Sequence, residues 1–252
     1  MLAVKQIAEV KFPTRWAEFR LLAFESIPDG KADAVRAQTA LVLILGDIDR
    51  KPPLVRIHSQ CITGEVFHSL RCDCQDQLHL AMRTMVDAGS GALIYELQEG
   101  RGIGLLEKLR AYELQDRGHD TVDANLELGH PVDARDYALP VAILRFLGCR
   151  ELSLMTNNPD KIAAVRKAGI NVLERVSAEV PFNIHSAEYM ETKRRRLGHL
   201  SSLDDSSSLD NFSGLAEVCL AKSCVPATAP SDVQRVPAEK SSLAASQRTA
   251  RG

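Results

Sequence analysis

Over the first fifty residues apolar and polar positions alternate at short period, a pattern of strands and turns. The runs at 17–24 (AEFRLLAF) and 40–45 (ALVLIL) are short and apolar, with Pro28, Asp29 and Gly30 as a turn between them. A strand over 54–58 comes next and carries Arg56 toward the first cysteine of the chain. From 75 to 88 the period becomes helical, through Leu78, Met82, Met85 and Val86, and Gly89 follows as a helix-ending glycine. A buried strand over 92–97, the loop QEGRGIG at 98–104 and a helix over 105–117 closed by Gly118 continue the series. Pro140 belongs in the first turn of a helix over 140–147 ended by Gly148, which leaves 133–137 as a charged loop. Residues 152–155 read as a strand, Asn158 as an N-cap, Pro159 to Lys167 as a helix before Gly169, and 171–173 as a further strand. The last amphipathic helix is expected over 189–197. Strand, helix, strand in succession implies a parallel pair with a crossover helix, hence a layered α/β fold.

Beyond about residue 200 the periodicity stops. The segment 201–252 is rich in serine, alanine and proline and reads as a disordered tail behind a domain at 1–200. It contains Cys219 and Cys224 with no histidine nearby, a weak case for a second metal site. In the whole chain of 252 residues, 45% are hydrophobic and 25% charged, as in an ordinary globular protein. A net charge of -2 gives no electrostatic reason to expect a nucleic-acid or membrane partner. No apolar run is long enough to span a bilayer, and the first residues lack the apolar core of a signal peptide. Six cysteines in such a chain point to a reducing, cytoplasmic setting, where thiols serve metals or catalysis.

Three of those cysteines fall in the stretch CITGEVFHSLRCDC at 61–74, and Cys72 and Cys74 are one residue apart. Converging thiolates hold zinc well, and three of them leave a fourth position where a water is made nucleophilic. Ordinary buried thiols are the plainer alternative, although Arg71 and Asp73 between them suit apolar burial poorly. A closed site completed by His58, His68 or His79 is a further alternative. Two strand-to-helix loops, EGRGIG at 99–104 and TNNPDK at 156–161, have the glycines and basic groups that cradle phosphate, though each is also an ordinary tight turn. Both would converge at the carboxyl edge of one sheet, where open α/β sheets place ligands, so together they point to a nucleotide or polyphosphate.

The segments RIHSQCITGEVFHSLRCDC (56–74), QEGRGIGLLEKLRAYELQDRGHDTVDAN (98–125) and LMTNNPDKIAAVRKAGI (154–170), in this order and spacing, closely resemble GTP cyclohydrolase II of riboflavin biosynthesis. The resemblance extends over about 5–200 and implies a three-layer α/β/α fold with a mixed sheet and a zinc-dependent homodimer. It implies an enzyme that opens the imidazole ring of GTP, releases formate and pyrophosphate, and needs magnesium as well as zinc. Its product is a diamino ribosylamino-pyrimidinone phosphate, and the chain would be a stand-alone form without the synthase domain fused in many members.

Carried onto this sequence, the resemblance makes Cys61, Cys72 and Cys74 the zinc ligands. Arg56, Gln60, Gln77, Glu99, Gly100, Arg101, Thr121, Thr156 and Lys161 match substrate contacts. Glu99 would read the donors on the guanine edge, with pairing to Lys108 as the plain alternative. Arg101 and Lys161 would hold phosphates, and Tyr112 would stand near the opening ring or else pack in the core. Asp133 matches the family's proton acceptor and Arg135 its assigned nucleophile toward phosphorus. A guanidinium stays protonated and offers donors, so a charge-stabilising fork is the better physical role for Arg135. Two departures stand out: Gln60 where the family often has glutamate, and Gln75 where a glycine is common, a strained choice if that backbone needs a positive φ. The rival functions are a variant that stops at the formylated pyrimidine and a catalytically silent zinc protein that binds GTP.

Overall fold

The computed structural model describes residues 2–27, 37–181 and 185–200. The turn expected at 28–30 and the tail expected over 201–252, with its two cysteines, lie outside the described residues. Met1–Asp205 forms one compact unit. Its strands are β1 (Ala3–Pro13), β2 (Glu18–Ile27), β3 (Thr39–Leu45), β4 (Leu54–Ser59), β5 (Gly91–Glu96), β6 (Glu151–Met155) and β7 (Asn171–Val176). Its helices are α1 (Ile62–Glu65), α2 (Cys74–Ala88), α3 (Leu105–Gln115), α4 (Thr121–Glu127), α5 (Ala138–Phe146), α6 (Pro159–Lys167) and α7 (Ala187–Leu197).

The strands make one mixed sheet in the order β1-β2-β3-β5-β4-β6-β7. The first three and β5 pair antiparallel, whereas β5, β4, β6 and β7 run parallel. Alternation along the strands divides the apolar residues between two faces. Val42 and Ile44, Val55 and Ile57, Ala92 and Ile94, and Leu152 and Leu154 point to one face, where Leu139, Ile143 and Leu144 of α5 and Val165 of α6 cover them. Phe19, Leu93 and Met155 point to the other, packed on Ala81, Met82 and Met85 of α2. Both faces are therefore sealed by helices, which gives the three layers expected.

Local chemistry sets most boundaries. Asn158 caps α6, its side chain accepting from Asp160 N at 2.8 Å, with Pro159 opening the helix as expected. Gly89 ends α2 in the left-handed conformation, φ 70°. The helix around Pro140 begins at Ala138, two residues before the expected start, and still keeps the proline in its first turn. Neither α1 nor α4 is foreshadowed in the apolar pattern, both being too short to show a period. Gln75 sits in the first turn of α2, and the only non-glycine residues with positive φ among those described are His68 and Arg101. The strain expected at Gln75 is thus corrected, because that backbone is helical. No described helix is long and apolar enough to cross a membrane.

Candidate active site

The carboxyl ends of the adjacent strands β5, β4 and β6 open onto one cleft, the place where open α/β sheets hold ligands. Cys61 follows β4 and precedes α1, while Cys72 and Cys74 flank Asp73 at the start of α2. The three sulfurs lie within 4.8 Å of one another, with Cys61 and Cys72 3.6 Å apart. Gly64 makes this possible: a Cβ there would lie 2.8 Å from Cys72 Sγ and 3.3 Å from Cys61 Sγ. Helix α1 has no side-chain bond from its N-cap residue and is fixed by two carboxylates, its own Glu65 and the distant Glu99. Glu65 accepts from Cys61 N at 3.1 Å and Glu99 from Ile62 N at 2.7 Å.

Lys108 bridges this arrangement, its Nζ 3.1 Å from Cys61 Sγ and 2.6 Å from Glu99 Oε1. Contacts from the Cys72 and Cys74 sulfurs, and then the charge of Lys108, hold the Cys61 thiol far below its ordinary value. The same sharing pushes Cys72 up to about 11. Three soft donors gathered around one thiolate charge form a set that a thiophilic dication completes, so the residues fit zinc. The histidines weighed as a fourth ligand are engaged elsewhere. His58 Nε2 bonds Glu65 at 2.8 Å, His68 Nδ1 bonds Gln75 at 2.6 Å, and His79 tilts against Trp16 with ring centroids 5.1 Å apart. Among the described residues the cluster able to hold a metal is the three cysteines alone.

Cations line the rest of the cleft. Arg56, 6% exposed, donates to Met155 O at 3.0 Å and to Gln77 Oε1 at 2.6 Å, and burial lowers its pKa to about 10. Lys161, 4% exposed, donates to Ile57 O at 2.8 Å. Burial, then repulsion from Arg135 and Arg56, holds its ammonium well below the usual lysine value. Arg101 adopts φ 57°, a costly conformation for a residue with a Cβ, within the tight turn Glu99–Gly102. Its Nη1 and Nη2 are buried without a hydrogen-bond partner among the described residues, and the guanidinium lies 5.5 Å from the Tyr189 ring centroid. Gly102 allows that turn to dock on the loop before α5, since a Cβ there would meet Ala134 O at 2.8 Å. Unpaired guanidinium donors beside repelling cations make a site short of negative charge.

All the residues matched from sequence line this cleft except Asp133. Asp133 stands behind Arg135, whose Nε reaches Oδ1 at 2.9 Å and whose Nη2 bonds Oδ2. Burial raises the Asp133 carboxyl, but the bonds and charge of Arg135 outweigh it and leave the group below its ordinary value. In this arrangement Asp133 is an ionised carboxylate that also aims the Arg135 guanidinium. Burial lowers the Arg135 pKa, but the Asp133 bonds raise it more, so it stays charged. Glu99 lines the cleft while its carboxylate also accepts from Lys108, Gly100 N and Ile62 N, so the pairing with Lys108 is present and Oε2 keeps acceptor capacity beyond its single bond to Ile62 N. Tyr112 does line the cleft, with Arg71 and Lys108 against its ring at 4.8 and 5.8 Å, and burial pushes its hydroxyl up to about 12.

Several lining residues went unnoticed in the sequence. Lys108 appeared only as a pairing partner, and Tyr189, Lys193 and His199 come from the end of the domain, where α7 closes the cleft. Lys193 Nζ bonds Asp73 Oδ1 at 2.7 Å, and burial, then the nearby cations, lower His199 to about 3. No motif flagged them, since a basic helix face is ordinarily solvated.

A sheet whose parallel edge gathers thiolates and cations into one cleft defines a nucleotide-processing class of α/β enzyme. The chain belongs to the GTP cyclohydrolase II family: the model of that family matches residues 5–177. It is 46% identical over 200 residues to the GTP cyclohydrolase-2 of Histophilus somni (strain 2336), covering 79% of this chain and 89% of that one. To the GTP cyclohydrolase-2 of Cronobacter sakazakii it is 45% identical over 202 residues, covering 80% and 99%. To the riboflavin biosynthesis protein RibBA of Chlorobium phaeovibrioides it is 47% identical, covering 79% of this chain and 47% of that longer one.

Proposed function

We propose that this protein opens the imidazole ring of GTP by zinc-dependent hydrolysis, releasing formate and pyrophosphate and yielding the diamino ribosylamino-pyrimidinone phosphate that starts riboflavin biosynthesis. The observation that carries the reading is that the three converging sulfurs and the buried, mutually repelling cations share one cleft. Cys61, Cys72 and Cys74 would hold zinc, which supplies Lewis acidity and an activated water for attack on a purine carbon. Lys108 offsets the negative charge of Cys61 and is itself held by Glu99. Arg101 and Lys161 offer their donors to the triphosphate, which relieves the repulsion that depresses Lys161. Arg135, aimed by Asp133 and locked in its charged form, stabilises the charge that develops as pyrophosphate departs. Tyr112 presents its protonated hydroxyl to the cleft beside the sulfurs. The reading extends to magnesium on the triphosphate and to a cytosolic homodimer.

The test is incubation of the purified chain with GTP, zinc and magnesium while formate, pyrophosphate and the new pyrimidine absorbance are followed. All three should appear together and depend on zinc. GTP binding without formate would make the protein a silent binder, and pyrophosphate with a formylated product would make it a truncated cyclohydrolase; either result overturns the proposal.

A further inference from the structure

Helix α7 reaches the thiolate loop through one buried ion pair. Lys193 Nζ lies 2.7 Å from Asp73 Oδ1, with side chains 10% and 1% exposed. Asp73 is the residue between Cys72 and Cys74. Its other oxygen accepts from Gln77 Nε2 at 2.5 Å, Gln77 accepts from Arg56 at 2.6 Å, and Arg56 reaches Met155 O at the end of β6. A single polar chain thus runs from α7 through the metal loop to β4 and β6.

We propose that Lys193 is a positioning residue: through Asp73 it sets where Cys72 and Cys74 present their sulfurs, which makes α7 part of the metal site. The argument is electrostatic. Without Lys193 the carboxylate of Asp73 would be a buried anion beside three sulfurs, and an uncompensated buried charge is strongly disfavoured. Asp73 would then have to take up a proton or swing away from Gln77, and because it sits at the start of α2 between Cys72 and Cys74, any backbone adjustment that accompanies this shifts their sulfurs. Helix α7 is seated independently of this pair by Arg196, which bonds Asp120 and Asp123, and by Leu200 N donating to Asn157 O at 2.8 Å. Loss of the pair should therefore act on the sulfurs, not on docking of the helix as a whole.

This inference rests on the zinc reading, so the experiment measures zinc affinity directly, by competition with a chromophoric chelator on the full chain. Lys193→Met should weaken zinc by about tenfold or more, as loss of an outer partner of a ligand does. Lys193→Arg, which keeps the charge, should stay within about threefold of the parent. In an Asp73→Asn background the cation is no longer needed, so adding Lys193→Met should change zinc affinity by less than about twofold. Arg195→Ala, at a position of α7 whose side chain is 71% exposed and pairs with Glu191 of the same helix, should bind zinc like the parent. Parent affinity in Lys193→Met, or an equal loss with and without Asp73→Asn, overturns the proposal. Should Lys193→Met alone not fold, the comparison passes to the double variant against Asp73→Asn, where a tenfold gap overturns it. A parent chain that takes up no zinc sinks the metal reading itself and this inference with it, a result distinct from any difference among variants.

Discussion

Alanine at position 64 sets two effects of opposite sign against each other. Gly64 lies within α1 and has no left-handed backbone angle, so alanine is the better helix former there by about 1 kcal/mol. Its Cβ, however, would stand 2.8 Å from Cys72 Sγ, and ordinary contact begins at 3.4 Å. Cys72 must then withdraw by about 0.6 Å, the difference of those distances. Zinc–sulfur bonds of about 2.3 Å tolerate deviations of only about 0.2 Å. A loss of roughly 10- to 100-fold in zinc affinity is expected, or about 1.4 to 2.8 kcal/mol. The metal-free protein should melt at the parent temperature or slightly above it. Chelator competition reads the first quantity and thermal unfolding in the presence of a strong chelator reads the second. Zinc affinity equal to the parent would refute the role given to Gly64, and so would a matching drop in metal-free stability, which would place the damage in the fold.

Two further substitutions probe the cationic half of the cleft. Lys161→Ala should weaken GTP by roughly 10- to 100-fold, the loss of one charge-assisted contact, while guanosine changes by less than about threefold. Equal losses in calorimetric titrations of the two ligands would contradict a phosphate role. Glu96, 1% exposed, has its carboxyl pushed up to about 7 by burial, with Lys161 and Arg135 drawing it back. A raised carboxyl pKa means the folded state binds the proton more tightly than the unfolded chain. Its contribution is therefore complete below the ordinary glutamate value of about 4.5 and is lost as pH rises through about 7. Between about pH 5 and 8 the parent should lose on the order of 3 kcal/mol relative to Glu96→Gln, and parallel denaturant-unfolding profiles for the two would exclude this linkage.

What the sequence made legible is what local chemistry decides. Asn158 and Pro159 announce α6 because a cap and a first-turn proline act within a few residues, and Gly89 announces the end of α2 for the same reason. The thiolate cluster was legible because two of its members are one residue apart and the third follows a strand. Helix α1 was not, since its first N–H groups are satisfied by Glu65 and by Glu99, which is brought in from the β5 edge only when the sheet forms. Glu99 shows the limit most clearly. The resemblance matches the residue to a ligand contact, and the folded chain adds bonds from its oxygens to Lys108 and to the backbone of 62 and 100 that only tertiary packing supplies. The bond of Asp133 to Arg135 was not legible either, because a carboxylate two residues from an arginine can face ligand or neighbour and only tertiary packing decides between them. Lys193 was least legible of all: in a helix carrying Arg194, Arg195 and Arg196 it reads as one more solvated cation. Only the fold shows that it is buried against Asp73, the acidic residue standing between Cys72 and Cys74. The chemistry of this cleft is thus written twice, once in motifs that bear the donors and again in distant charges that hold those donors still.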